Sequence, residues 1–137
     1  MWPLHALVAM ACFASMQLVF RHTTRGGLTP AAVLFYVFGF GWLFYLLHIL
    51  TVRTPLALTP SRGGLLFLAG LFAYIGNLYA VRAVAEAPNP GYAMALVGLQ
   101  ALVVTLVSVA LFGATISWMK IAGVVLCLAG ASLLVTR

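Results

Sequence analysis

Five long apolar runs occupy almost the whole of a 137-residue chain: Pro3–Phe20, Ala31–Val52, Gly63–Val81, Gly91–Phe112 and Ile116–Val135. Of the charged residues, only Lys120 lies inside one of them. A helix needs roughly 20 apolar residues to cross a hydrocarbon core of ~30 Å, so each run is about one crossing. The sequence therefore predicts an all-α integral membrane protein of five transmembrane helices. Residues 1–137 form a single domain with almost no mass outside the bilayer. An odd number of crossings puts the two termini on opposite sides of the membrane. A second copy joined behind the first would then insert upside down, which is how inverted repeats arise.

Composition narrows the function classes. Apolar residues make up 65% of the chain and charged residues 6%, against ~25% charge in an average soluble domain. The net charge of +6 comes from seven Lys/Arg against one acid, Glu86. On a soluble protein that balance would suggest nucleic acid. Here the cations stand at the ends of spans, where they meet phospholipid headgroups, so membrane lipids are the expected partners and nucleic acid is not. Cys12 and Cys127 both lie within apolar runs and read as small hydrophobes; two such thiols make neither a disulfide framework nor a metal site. No Lys or Arg precedes the first run, which continues past Ala9 and Ala11 to Phe20. It reads as a retained span, not a signal peptide.

The joints carry helix-breaking chemistry. In Arg21–Pro30 a Gly-Gly pair precedes Thr29-Pro30, with Thr29 placed to cap a helix and Pro30 to begin it. Arg53–Arg62 ends in Thr-Pro-Ser, another helix start. The third helix is expected to run on to about Ala87, where Pro88-Asn89-Pro90 stops it. Gly113-Ala114-Thr115 is the tightest joint, and Gly113 suits a left-handed cap. Links this short make successive helices antiparallel neighbours.

Charge does not set the orientation strongly. Arg21, Arg25, Arg82 and Arg137 fall on one side, and Arg53, Arg62 and Lys120 on the other. Pairing of Arg82 with Glu86 one turn later would level the balance. The positive-inside rule needs an asymmetry to act on. Two readings stay open: one dominant orientation with the Arg21/Arg25 side cytoplasmic, or insertion both ways followed by antiparallel pairing.

Enzyme chemistry is not expected. One Glu, no Asp and scattered His5, His22 and His48 give no carboxylate pair, no nucleophilic triad and no metal-ligand spacing, and no cofactor is implied. The informative residues are uncharged polar ones inside spans. An amide in hydrocarbon costs several kcal/mol unless it is bonded or faces a wet cavity, so Gln17, Asn77 and Gln100 should point into the bundle. They either bond one another and neighbouring carbonyls, or they line a solute path walled by rings such as Tyr74. Small residues mark helix contacts in lipid: Gly123 and Gly130 share a face two turns apart in the last span, and Ala69, Ala73, Gly76 and Ala80 form a ridge in the third.

The stretches AVRAVAEAPNPGYAMAL (Ala80–Leu96), LFG (Leu111–Gly113) and SWMKIAGVVLCLAGASLLV (Ser117–Val135) resemble one repeat of the EamA-type drug/metabolite transporter superfamily. Phe112-Gly113, Ile116-Ser117, Lys120, Gly123 and Gly130 fit its closing pattern, and MACFASMQLVFR in span one fits as well. Most members fuse two such repeats. The more distant small multidrug resistance proteins use one, as antiparallel dimers. The resemblance implies a small transporter or exporter, acting by alternating access as a homodimer or with a related five-helix chain, in a bacterial inner membrane. Two departures bear on the substrate. Ala114 stands where the family usually has Glu, and span one holds no acid. Coupling to protons through a buried carboxylate is therefore not implied, and neutral, zwitterionic or anionic small molecules suit the chain better. Two alternatives remain: a subunit of a flippase for lipid-linked headgroups, and a non-transporting scaffold subunit of a larger membrane complex.

Overall fold

The computed structural model describes residues 2–113 and 117–135. Six helices follow in order: α1 (Trp2–Arg25), α2 (Pro30–Val52), α3 (Pro60–Glu86), α4 (Pro90–Gly98), α5 (Gln100–Phe112) and α6 (Trp118–Val135). No strand occurs among the described residues. This follows from lipid as solvent, because a backbone without water must satisfy its N–H and C=O groups within the segment. Four stretches are long and apolar enough to span: Pro3–Arg25, Pro30–Val52, Pro60–Glu86 and Pro90–Phe112. A shorter apolar helix, Ile121–Leu134, follows.

The helix ends follow their local chemistry. α1 outruns its apolar stretch by one turn. The hydroxyls of Thr23 and Thr24 donate back to the Val19 and Phe20 carbonyls at 2.9 and 2.8 Å, so these residues continue the helix without needing water. A Schellman pair then closes α1, with Leu28 N–H donating to Thr23 O and Gly27 N–H to Thr24 O, at a φ of 97° that glycine takes without strain. Thr29 caps α2 as expected, its hydroxyl accepting from Ala32 N at 3.3 Å, with Pro30 in the first turn. α2 ends on a left-handed residue that is not glycine, Arg53, at φ 55° and ψ 42°. Asn89 caps α4 by accepting from Gly91 N at 2.9 Å. Gly113 ends α5 at φ 62°. Residues 114–116, the remainder of the Gly113-Ala114-Thr115 joint and the start of the fifth run, lie outside the described residues, as does Arg137.

The fourth crossing is not one unbroken helix. It divides at Leu99, where ψ relaxes to −13° and the N–H reaches both Leu96 O and Val97 O. Gly98 immediately before it lowers the cost of such a break.

Two compact units follow along the chain, Met1–Ala85 and Glu86–Arg137. In the first, the buried residues gather at one end of the helices: Phe20 near the end of α1, Val33 and Leu34 near the start of α2, Val81 and Val84 near the end of α3. Away from that end, residues 3–15, 38–52 and 60–76 are mostly exposed, as befits faces that meet lipid tails as apolar as themselves. In the second unit α4 packs on α6, and Ala93 is buried.

Candidate functional site

At the packed end of the first unit, two polar residues share one face of α1. Gln17 is 8% exposed, and its Oε1 has no hydrogen-bond partner. Arg21 stands one turn further on and is half-buried. Its Nη1 donates to Val84 O at 2.8 Å and also to Ala85 O. These carbonyls belong to the last turn of α3, where no further helical N–H is available and the helix dipole is negative. A guanidinium is therefore a fitting cap. Its Nε is buried without a partner. On α3, the exposed Arg82 lies over the Tyr79 ring, 5.5 Å from the centroid, a cation–π contact and not the Glu86 pairing weighed from the sequence.

The second feature of this unit is a groove of about 610 Å³ between α2 and α3, lined by Leu34, Phe35, Phe38 and Gly39 from one helix and by Gly70, Ala73, Tyr74 and Leu78 from the other. A methyl added at either glycine would meet nothing within 4 Å, so these glycines leave open space and do not serve a close approach within the chain. Tyr74 stands on the groove wall. Asn77 is half-buried, does not line the groove, and donates from Nδ2 to Ala73 O of its own helix at 2.8 Å.

In the second unit, a groove of about 780 Å³ between α4–α5 and α6 is lined by Gly98, Leu99, Thr105, Gly123, Cys127 and Gly130, among others. Gly123 and Gly130 thus share a face, as their spacing requires, and neither has any atom within 4 Å of where a Cβ would stand. Thr105 returns its hydroxyl to Ala101 O at 2.7 Å. Gln100, at the start of α5, is exposed.

Of the four polar path candidates, Gln17, Tyr74 and Asn77 fall in the first unit and Gln100 in the second. Arg21 is the residue that sequence reasoning treated only as a loop charge. The signal for it was present: a cation four residues after Gln17, on the same face, in a chain with a single acid. Among the described residues no three of His, Cys, Asp and Glu gather into a metal-binding group. What the arrangement offers is a buried donor and a buried acceptor on one helix face, and apolar grooves.

Comparison with known proteins bears out the resemblance. The model of the EamA-like transporter family matches residues 1–136. Neither a curated relative nor a solved structure matches the chain. A family match of that extent, on apolar helices long enough to cross a bilayer, establishes that the chain belongs to the EamA-like transporter family, integral membrane proteins that move small solutes.

Proposed function

We propose that the chain forms a single transmembrane domain in a bacterial inner membrane and works as a dimer, of itself or with a related five-helix chain, carrying small neutral, zwitterionic or anionic metabolites by alternating access. One observation carries this reading: the grooves on both units are lined by glycines that face open space, Gly39 and Gly70 on the first and Gly123 and Gly130 on the second. Glycine is poorly placed in such helices on propensity alone. Small residues gain their value in lipid by admitting another helix or a solute close to the backbone, and none of the described residues stands within 4 Å of a Cβ built at these glycines. One groove serves the partner and the other the solute. Tyr74 lines the α2–α3 groove, and Gln17 and Asn77 supply polar groups on the same unit. Rocking of two such halves about their interface exposes the path to each side in turn.

The test is reconstitution. Purified protein in sealed liposomes is assayed for counterflow of radiolabelled amino acids, organic acids and sugars, with Tyr74→Ala alongside. Transport of at least one class, lost in Tyr74→Ala while the protein still folds and inserts, supports the reading. A dimer that moves none of them, but moves fluorescent lipid between leaflets, favours the flippase alternative. A monomer inert in both assays favours the scaffold.

A further inference from the structure

We infer that Arg21, with the Gln17 amide, forms a recognition site for an anionic two-oxygen group, a carboxylate or a phosphate. This deepens the transport reading by naming a substrate class, and it rests on that reading only for the role of the bound group.

The argument begins with the two edges of the guanidinium. Nη1 is committed to the Val84 and Ala85 carbonyls of α3. The opposite edge carries Nε and Nη2, the fork that takes two oxygens side-on. On that edge Nε is buried with no acceptor, and none of the hydrogen bonds of the described residues uses Nη2. A buried, unpaired N–H on a cation is costly, and the chain's only acid is the exposed Glu86. Neutral carbonyls hold the arginine in place, and its charge is left without a counter-anion. An arginine fixed along one edge loses little freedom when a ligand takes the other, which is what a recognition site requires.

Gln17 supplies the second, independent observation. It lies one turn before Arg21 on the same face of α1, more than nine-tenths buried, with Oε1 unsatisfied. A half-turn of the amide presents its NH₂ group in place of the oxygen. The pair then offers three donors on one face: Nε, Nη2 and the glutamine amide. That set matches an anion with two or three oxygens and does not match a cation. Arg25 and Arg82 stand at the same helix ends. Their field raises the local concentration of anions, so that end of the unit collects what Arg21 binds.

The shared chemistry is that of a free phosphate or carboxylate and of an anionic lipid headgroup. The experiment separates them. Purified protein in neutral detergent is melted in rising inorganic phosphate, with sodium chloride at matched ionic strength as reference. A parallel series replaces phosphate by phosphatidylglycerol in mixed micelles. The variants are Arg21→Lys, Arg21→Gln, Gln17→Leu and, as a charge control on the same helix end, Arg25→Gln. We expect a saturable rise in melting temperature for the wild type, with apparent affinity weakened about tenfold or more in Arg21→Lys, where the fork is lost and the charge kept. The response is abolished in Arg21→Gln, weakened in Gln17→Leu, and kept in Arg25→Gln. Response to phosphate places a soluble anion at the site, and response to the lipid alone places a headgroup there. Should Arg21→Gln not fold, Arg21→Lys and the wild type decide. An unsaturable response, one equal in Arg21→Lys and wild type, one lost equally in Arg25→Gln, or no response in either series overturns the proposal. None of these depends on transport: liposomes that take up a neutral solute while the melts stay flat would sink the anion site and leave the transport reading standing.

Discussion

Arg21 Nη1 reaches the carbonyl oxygen of Val84 at 2.8 Å, joining the end of α1 to the end of α3 across sixty-three residues of sequence. Packing around it is tight, with Phe20, Val81 and Val84 all but fully buried. In lipid, apolar burial adds little between helices, so association depends on close packing and on polar bonds such as this one. Hydrogen bonds from a charged donor are worth about 1.5–3 kcal/mol. Replacement of Arg21 by Met keeps the aliphatic stem and removes both bonds. Arg21→Met is expected to lower unfolding stability by about that amount in a mixed-micelle titration with SDS. A loss below about 0.5 kcal/mol, the usual range of an exposed surface change, would show that the contact does not hold α1 to α3.

Asn77 is bonded to Ala73 O one turn back on its own helix. A local bond of this kind neither joins helices nor strands a partner when removed, because the carbonyl keeps its main-chain bond. Asn77→Ala is expected to change stability by less than about 0.5 kcal/mol. Loss of transport at unchanged stability would place Asn77 on the solute path. A loss of 2 kcal/mol or so, the scale of a deserted buried partner, would mean that its side chain bonds elsewhere in the assembled protein.

Much of this architecture was legible in the sequence because lipid enforces simple rules. A run of apolar residues near twenty long must be a helix. Thr29-Pro30, Asn89-Pro90 and Gly113 each mark an end through chemistry that acts within four residues. The break at Leu99 was not legible. Val97-Gly98-Leu99-Gln100 contains no proline, and a glycine inside an apolar helix ordinarily passes without a kink. The continuation of α1 to Arg25 was hidden for a related reason: hydropathy falls at Arg21, whereas the helix persists because Thr23 and Thr24 bond back to its own carbonyls. Arg21 was misjudged as a loop charge because its partners, the Val84 and Ala85 carbonyls, are backbone atoms. Sequence spacing can suggest pairs of side chains, but it cannot show which helix end a guanidinium will meet.

Arg53 occupies the left-handed position that closes α2, with Thr54 N–H bonded to Ile49 O at 3.2 Å. A Cβ in that conformation costs about 1 kcal/mol, which glycine avoids. Arg53→Gly is expected to raise stability by up to about 1 kcal/mol, and Arg53→Ala to give no gain, in the same SDS titration. Equal behaviour of the two variants would show that the charge, and not the backbone, decides at this position.

Orientation rests on few charges. The segment from Arg53 to Arg62 holds two cations against Arg21, Arg25 and Arg82 at the helix ends on the other side. Orientation responds to small differences in Lys/Arg count within short loops. Thr54→Lys together with Ser61→Lys is expected to shift the proportion of chains reporting each orientation in fusions to cytoplasmic and periplasmic reporters. A wild type found wholly in one orientation, and unmoved by these two lysines, would rule out insertion both ways and leave parallel pairing as the arrangement of any homodimer.

Gly123 and Gly130 test the dimer most directly. Both line the groove on α6, and a Cβ at either would meet no atom of the described residues beyond its own stretch of helix within 4 Å. If the open space is filled by a second copy, bulk there should act between chains and not within one. Gly123→Leu and Gly130→Leu are each expected to leave secondary structure and monomer stability nearly unchanged, with helix propensity adding a few tenths of a kcal/mol in favour of leucine. In the same variants, dimer is expected to give way to monomer in sedimentation equilibrium across a range of detergent concentrations. The paired substitutions Gly39→Leu and Gly70→Leu, in the α2–α3 groove, serve as the comparison. If they dissociate the dimer while the α6 variants do not, the assembly runs through the first unit, and the groove on α6 is left to the solute.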